Sequence, residues 1–304
     1  MTKKKLLNIC GKDVKVAGRF IRVASLDGEK YVFPEDPSAM REGLMKTGAR
    51  IDLFTFLQPL SETSPKHPYH FELDNLAVLP VSTFEHWWMH QLRSYPRNRA
   101  RQAEKKGVVL REVPVNEELF KGICDIYNES PIRQGKRFPH YGMKMDQARE
   151  YACTFPDHSI WIGAFLGDQM IGFVKLVTDD NRTQACMVHI LSMIQHKDKA
   201  PTNALIAQAV KSCADRGIPH LVYENFSYGK KQGDSLSHFK EVNGFKRVDL
   251  PRYYVPLTSL GSLALQLKLH RKLVDHFPEP LLAKLREIRT SWYNRRFGVL
   301  KDAS

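Results

Sequence analysis

Three apolar runs separated by tight polar turns constrain this chain more than any other feature. Ser159–Leu166 and Gln169–Thr178 are joined only by Gly167-Asp168, and a third run, 183–194, follows Asp179-Asp180-Asn181. That spacing predicts an antiparallel meander of three strands. A long helix comes next, with Pro201 near its first turn, Gly217 past its end, and Ile206, Ala209, Val210 and Cys213 on one face. Residues 220–224 read as a strand, 236–242 as a short helix ended by Asn243-Gly244, and 245–255 as a last strand bent at Pro251.

Upstream of the meander, strand 108–113 precedes a helix capped by Asn116, whose Leu119, Ile123 and Ile126 share a face. A second helix is expected at 144–153. The central order is therefore strand, helix, helix, three strands, helix, strand, helix, strand. The first ninety or so residues form a smaller α/β unit. Its strands are expected at 14–24, 30–33, 51–57 and 71–81, the last broken by Asp74-Asn75. Its helices are expected at 38–47 and from Ser82 through Leu92. Two basic amphipathic helices, 260–276 and 280–296, follow the last strand. The expected units are 1–92, 93–257 and 258–304.

Charge is distributed unevenly over this frame. The chain has 46 Lys and Arg against 33 Asp and Glu, a formal charge of +13. Residues 1–22 carry +6, 93–111 carry +6 and 261–304 carry +5, so the central strands and helices carry almost none of the excess. Such blocks suit phosphate, RNA or an anionic membrane surface, and they equally suit solvated helix faces. No run approaches the roughly 20 apolar residues of a spanning helix, and the basic start has no apolar stretch behind it. Five scattered cysteines, none in a CxxC spacing, read as reduced thiols. A cytoplasmic chain, peripheral at the inner membrane face, is expected. No Walker loop, GxGxxG or GxSxG is present. His86 and His90 are spaced i, i+4 beside Glu85, but Trp87-Trp88 lies between them, and no metal site is expected.

The succession of elements resembles the GNAT N-acyltransferase fold, a mixed sheet with flanking helices. A narrower resemblance is to its FemAB-like branch, through Arg97, Asn98, Arg101, Ala103, Lys105 and Gly107 of the basic helix, and through Phe239-Lys240 before Gly244-Phe245. It covers roughly 90–257, with 1–92 as a reduced N-terminal half and 258–304 as a C-terminal helical extension. The resemblance implies a transferase that moves an acyl group from acyl-CoA or acetyl-CoA to an amine on a cell-envelope or surface-glycan precursor. The acceptor is a small molecule or lipid-linked. Two alternatives stand beside it: a FemAB-type enzyme using aminoacyl-tRNA, and a non-enzymatic GNAT-like adaptor held at an anionic membrane by its tail. The absence of a long helical insertion between 112 and 257 favours the small thioester donor.

The resemblance also assigns residues. Donor contacts fall on Ile190 and Leu191 of the fourth strand, and on Gln195, Lys197, Lys199, Ala200 and Asn203 of the loop and helix behind it. A helix N-terminus binds phosphate through its unpaired N–H groups and dipole. Asp198 stands where the family has glycine, which is unfavourable unless it caps the helix or pairs with Lys197 or Lys199. Glu224 and His189 are candidate bases. Lys240 occupies the place of the family's acidic Tyr, and Tyr223 or Tyr228 could supply that role. Arg133, Gln134, Arg137, His140 and Tyr141 fill the loop expected to receive an anionic, hydroxyl-rich acceptor, with Tyr223 and Lys240 beside them.

Overall fold

A computed structural model describes residues 6–133, 135–227 and 235–271, with 282, 284–285, 287–289 and 291–292. The chain begins with β1 (Leu6–Ile9), β2 (Lys12–Ala17) and β3 (Val23–Leu26), then α1 (Pro37–Lys46), β4 (Leu53–Leu57) and the long β5 (His70–Pro80). Next come the single turn α2 (Phe84–His86), which continues as a π turn through Gln91, then α3 (Ser94–Lys105), β6 (Val108–Glu112) and α4 (Glu117–Asn128). A two-residue hairpin, β7 (Ile132–Arg133) with β8 (Lys136–Arg137), leads to α5 (Met145–Ala152). The meander is β9 (Ser159–Leu166), β10 (Gln169–Thr178) and β11 (Ala185–Ser192). The remainder is α6 (Pro201–Asp215), β12 (His220–Asn225), α7 (Ser235–Val242), β13 (Lys246–Pro256) and α8 (Ser259–Gln266).

Eleven strands form one mixed sheet in the order β1-β2-β3-β4-β13-β5-β12-β11-β10-β9-β6. Only β3 with β4 and β11 with β12 are parallel. The last strand, β13, lies between β4 and β5, so the two halves share backbone hydrogen bonds. Helix α6 packs on the meander through Leu205, Ile206, Ala209, Val210 and Cys213, all buried, each large aliphatic side chain contributing about 1.5–3 kcal/mol. The first half has its own core around Leu26, Met40, Leu44, Phe54, Phe56 and Tyr253.

Local chemistry explains most boundaries. Asn116 accepts from the Leu119 amide and opens α4; Asp36 caps α1 the same way through Ser38 and Ala39. Several expectations differ from the structure. The stretch 14–24 is not one strand but falls across β2 and β3, which pair antiparallel across the turn between them, and 82–92 is the short α2 followed by a π turn. The stretch 30–33 is not a strand, because Tyr31 and Val32 turn back onto the Gly28 carbonyl. Asp74-Asn75 does not break β5. Its backbone stays in register with β13, and the two polar side chains are satisfied by Asn225, Arg252 and the Ser227 amide. Of the two terminal helices, α8 is shorter than expected, and 280–296 lies largely outside the described residues.

Candidate active site in the gap between two parallel strands

The parallel pair β11 and β12 is joined at only two positions, Ala185 with Leu221 and Cys186 with Val222. Beyond them the strands part. A bulge drives the separation: between Val222 and Asn225 the pairing of β12 with β5 shifts register, and Glu224 takes a left-handed conformation with φ 51°. Left-handed backbone is costly for a residue with a Cβ and marks a position held by its surroundings. Here the Lys240 ammonium, fully buried, donates to the Asn225 carbonyl and lies 4.7 Å from the Tyr223 ring centre. Glu224 itself accepts from Lys30, which also donates to Asn225 Oδ1 at 2.7 Å. Lys30 comes from the first half of the chain, far away in sequence, so no local pattern announces it.

On the β11 side, residues 188–192 are half-buried; 189–192 pair with β10 along one edge, and along the other edge, which faces the gap, they have no pairing with β12. His189 stands there within an aromatic cluster. Its Nδ1 is 2.5 Å from the Tyr127 hydroxyl and 3.4 Å from the Tyr151 hydroxyl, and its ring centre lies 5.2 Å from that of His140. His140 stacks on Tyr127 at 4.7 Å. Burial pushes the His189 pKa down to about 4, assisted by His140 and Arg133. Burial also raises Tyr127 and Tyr151 and lowers His140. At neutral pH the cluster is therefore uncharged. The tyrosine keeps its proton, and where it donates to Nδ1 the imidazole proton sits on Nε2.

The acceptor-loop residues divide. His140 joins the cluster, whereas Arg137 and Tyr141 are exposed on the surface. Arg133 is enclosed, and its guanidinium donates to the Ser192 and Ile126 carbonyls and to Glu129, each at 2.8 Å. Tyr223 is pushed up to about 12 by burial and by the neighbouring Glu224. Gln134 and Tyr228 lie outside the described residues.

The loop behind β11 is built differently from a phosphate cradle. Glu129, absent from the sequence reading, places its carboxylate on the backbone amides of Ile194 at 2.7 Å and Gln195 at 3.0 Å. The His196 amide donates to Met193 O and the Ala200 amide to Lys197 O. Helix α3 grips the loop from outside: Arg99 donates to Lys197 O, Gln102 and Lys106 to Asp198 O. Asp198 is paired with Lys106 at 3.0 Å and Lys199 at 3.4 Å, which holds its carboxyl below the usual range. Its pairing with Lys199 follows the condition read from sequence, but Lys106 is the nearer partner. Ala200 is left-handed with φ 54° where α6 begins, and Ser192 Oγ meets Thr202 Oγ1 at 2.9 Å across the loop. Asn203 lies in the first turn of α6. A separate groove of about 500 Å³ beside β6, lined by Phe84, Trp88, Arg101 and Lys211, contains none of these residues.

No protein-family model and no curated protein matches the chain. Solved structures do. The chain is similar to L-PGS from Bacillus licheniformis, at 13% identity over 87% of this chain and 88% of that one, with a TM-score of 0.58. It is also similar to the C-terminal domain of a protein described as a lysylphosphatidylglycerol synthetase from Agrobacterium fabrum, at 13% identity over 86% and 87%, with a TM-score of 0.56. FemX matches at 8% identity over 79% and 83%, with a TM-score of 0.50. The fold is thus the GNAT-like one, a mixed sheet flanked by helices, and FemX among its neighbours bears out the FemAB-like resemblance as a likeness of fold. No helix among the described residues is long and apolar enough to cross a membrane.

Proposed function

We propose that this chain is an acyltransferase that moves an aminoacyl group from an aminoacyl-tRNA ester onto a nucleophile of an envelope lipid or glycan precursor. The observation that carries acyl transfer is the parting of β11 from β12 beyond Cys186 and Val222, with a neutral His189 on its edge. A carbonyl seated there meets the His189 Nε2–H and the unpaired edge of β11 near Ile190 and Leu191, groups suited to a developing oxyanion. Glu224, ion-paired with Lys30, accepts the nucleophile's proton, directly or through one water; the acyl–oxygen bond to the tRNA ribose then breaks, and that proton passes to the departing ribose oxygen. The occupied amides of Gln195, His196 and Ala200 favour an ester on RNA over the coenzyme A thioester implied by the resemblance, whose diphosphate would need them. The Agrobacterium fabrum neighbour is described as a lysylphosphatidylglycerol synthetase, which agrees with this reading.

The second reading keeps acyl-CoA, because no long helical insertion is present among the described residues between 112 and 257. One experiment separates them. The purified chain is offered labelled aminoacyl-tRNA or labelled acetyl-CoA, each with anionic phospholipid vesicles and with amino-sugar nucleotides. Label transferred from tRNA alone supports the first reading, and label from acetyl-CoA alone supports the second. No transfer from either donor rejects both.

A further inference from the structure

The fold assembles three ligand-type side chains that no motif joins. His70 and Glu72 open β5 at i, i+2, and alternation along a strand puts them on one face. The third, His270, arrives from beyond α8. After that helix the amides of Lys268 and Leu269 return to the carbonyls of Leu265 and Ala264, and Lys268 adopts a left-handed conformation with φ 56°. This reversal is the usual way a helix end redirects the chain, and it carries His270 back over β5 and β13. There the ring packs 4.6 Å from Tyr254 and 5.9 Å from His70, centre to centre.

The geometry is that of a small cation. One ligand atom from each of His70, Glu72 and His270 lies within 4.8 Å of the other two. His270 Nε2 is 2.9 Å and His70 Nε2 is 3.9 Å from Glu72 Oε1. Tetrahedral zinc with bonds of about 2.0–2.1 Å sets its ligand atoms about 3.3 Å apart, between those two distances. The His270 side chain is fully enclosed, and its Nδ1 has no partner among the described residues. Two histidines and a carboxylate are also a set that zinc accepts with a fourth position open. Arg271 shares Glu72 Oε1 at 2.9 Å, but its side chain is 39% exposed, so a dication can displace it into solvent.

We propose that His70, Glu72 and His270 form a zinc site that fastens the segment after α8 to β5. The site stands apart from the residues of the acyl-transfer reading and does not depend on it. The test uses the full chain without a histidine tag, stripped with chelator. Zinc is titrated against a chromophoric competitor, and cobalt is added separately to read its visible absorption. One equivalent of zinc should bind, cobalt should give intense tetrahedral bands, and zinc should raise the Tm. His70→Ala and Glu72→Gln should each weaken binding at least tenfold and abolish the Tm rise. His70 is half-exposed at a strand end, so its variant keeps the fold even if His270→Ala does not. Arg271→Ala should bind zinc more tightly, and the double variant His86→Ala with His90→Ala should bind unchanged. Absence of a bound equivalent overturns the site, as does equal affinity in His70→Ala and Glu72→Gln. A Tm loss in Arg271→Ala without tighter binding also overturns it, because that is what an ordinary ion-pair cluster would give.

Discussion

Replacing Arg133 by methionine separates two roles that the same residue could hold. The resemblance makes it an acceptor ligand, whereas the structure encloses it, with the side chains of Arg133 and Glu129 only 10% and 15% exposed. Its fork reaches three acceptors, Ser192 O, Ile126 O and Glu129 Oε2, and so ties α4 to the end of β11. Removing one member of an enclosed pair leaves the other charge unpaired, at a cost of about 3–5 kcal/mol; an exposed pair would cost at most about 1 kcal/mol. For a chain of this size, roughly 2–4 °C per kcal/mol gives a Tm loss of roughly 10 °C. Lysine should not restore it, because one ammonium cannot reproduce a planar fork on three acceptors. Urea unfolding followed by tryptophan emission measures the loss, with acceptor KM determined well below the new Tm. A variant with wild-type stability and only a raised acceptor KM would refute the argument and return Arg133 to the acceptor site.

Two further outcomes follow from the structure. His189 titrates near 4 when folded and near 6.5 when free, so the unfolded chain takes up a proton that the folded one refuses; stability is intact above pH 6.5 and falls by about 3 kcal/mol as pH drops to 4. His189→Gln should lack that component, and parallel urea midpoints for the two chains between pH 4 and 7 would count against it. Gly261 lies on α8 where an added Cβ would sit 1.9 Å from the backbone oxygen of Asp52. Gly261→Ala should therefore unseat α8 at a cost of about 1–3 kcal/mol or more, and an unchanged Tm would show that α8 does not sit there.

What the sequence revealed and what it concealed have physical reasons. The meander and α6 were legible because their signals are local: Gly167-Asp168 fixes a hairpin, and Pro201 and Gly217 bracket a helix. His189 and His140 could be named as candidates, since a histidine on an expected sheet edge or loop is conspicuous. Their joint burial with Tyr127 and Tyr151 depends on α4 and α5 packing over β10 and β11, which no spacing encodes. Asp74-Asn75 looked like a strand break because polar pairs usually are. Only the three-dimensional neighbours Asn225 and Arg252 make them acceptable inside β5. Glu129 did leave a trace, four residues before Arg133, but an i, i+4 pair near a helix end is ordinary. Its bonds to Ile194 and Gln195 exist only after the chain has closed on itself.

The first half of the chain reaches the gap through a network of charged and polar side chains. Arg252 of β13 is enclosed and donates to Asp74 of β5 and Glu29 of the loop after β3. Asp74 in turn accepts from Asn225, and Asn225 stands beside Glu224 at the bulge. Lys30, next to Glu29, closes the circuit on Glu224 and Asn225. One continuous network therefore runs from the first half into the gap. Buried charges persist only where each has partners, so the strained Glu224 backbone and its carboxylate are held from the first half of the chain. A chain reduced to residues 93–257 would keep His189 and the residues of the meander. It would lose Lys30, Asp74 and both strand neighbours of β13, and with them the groups that hold the Glu224 carboxylate and the Asn225 side chain.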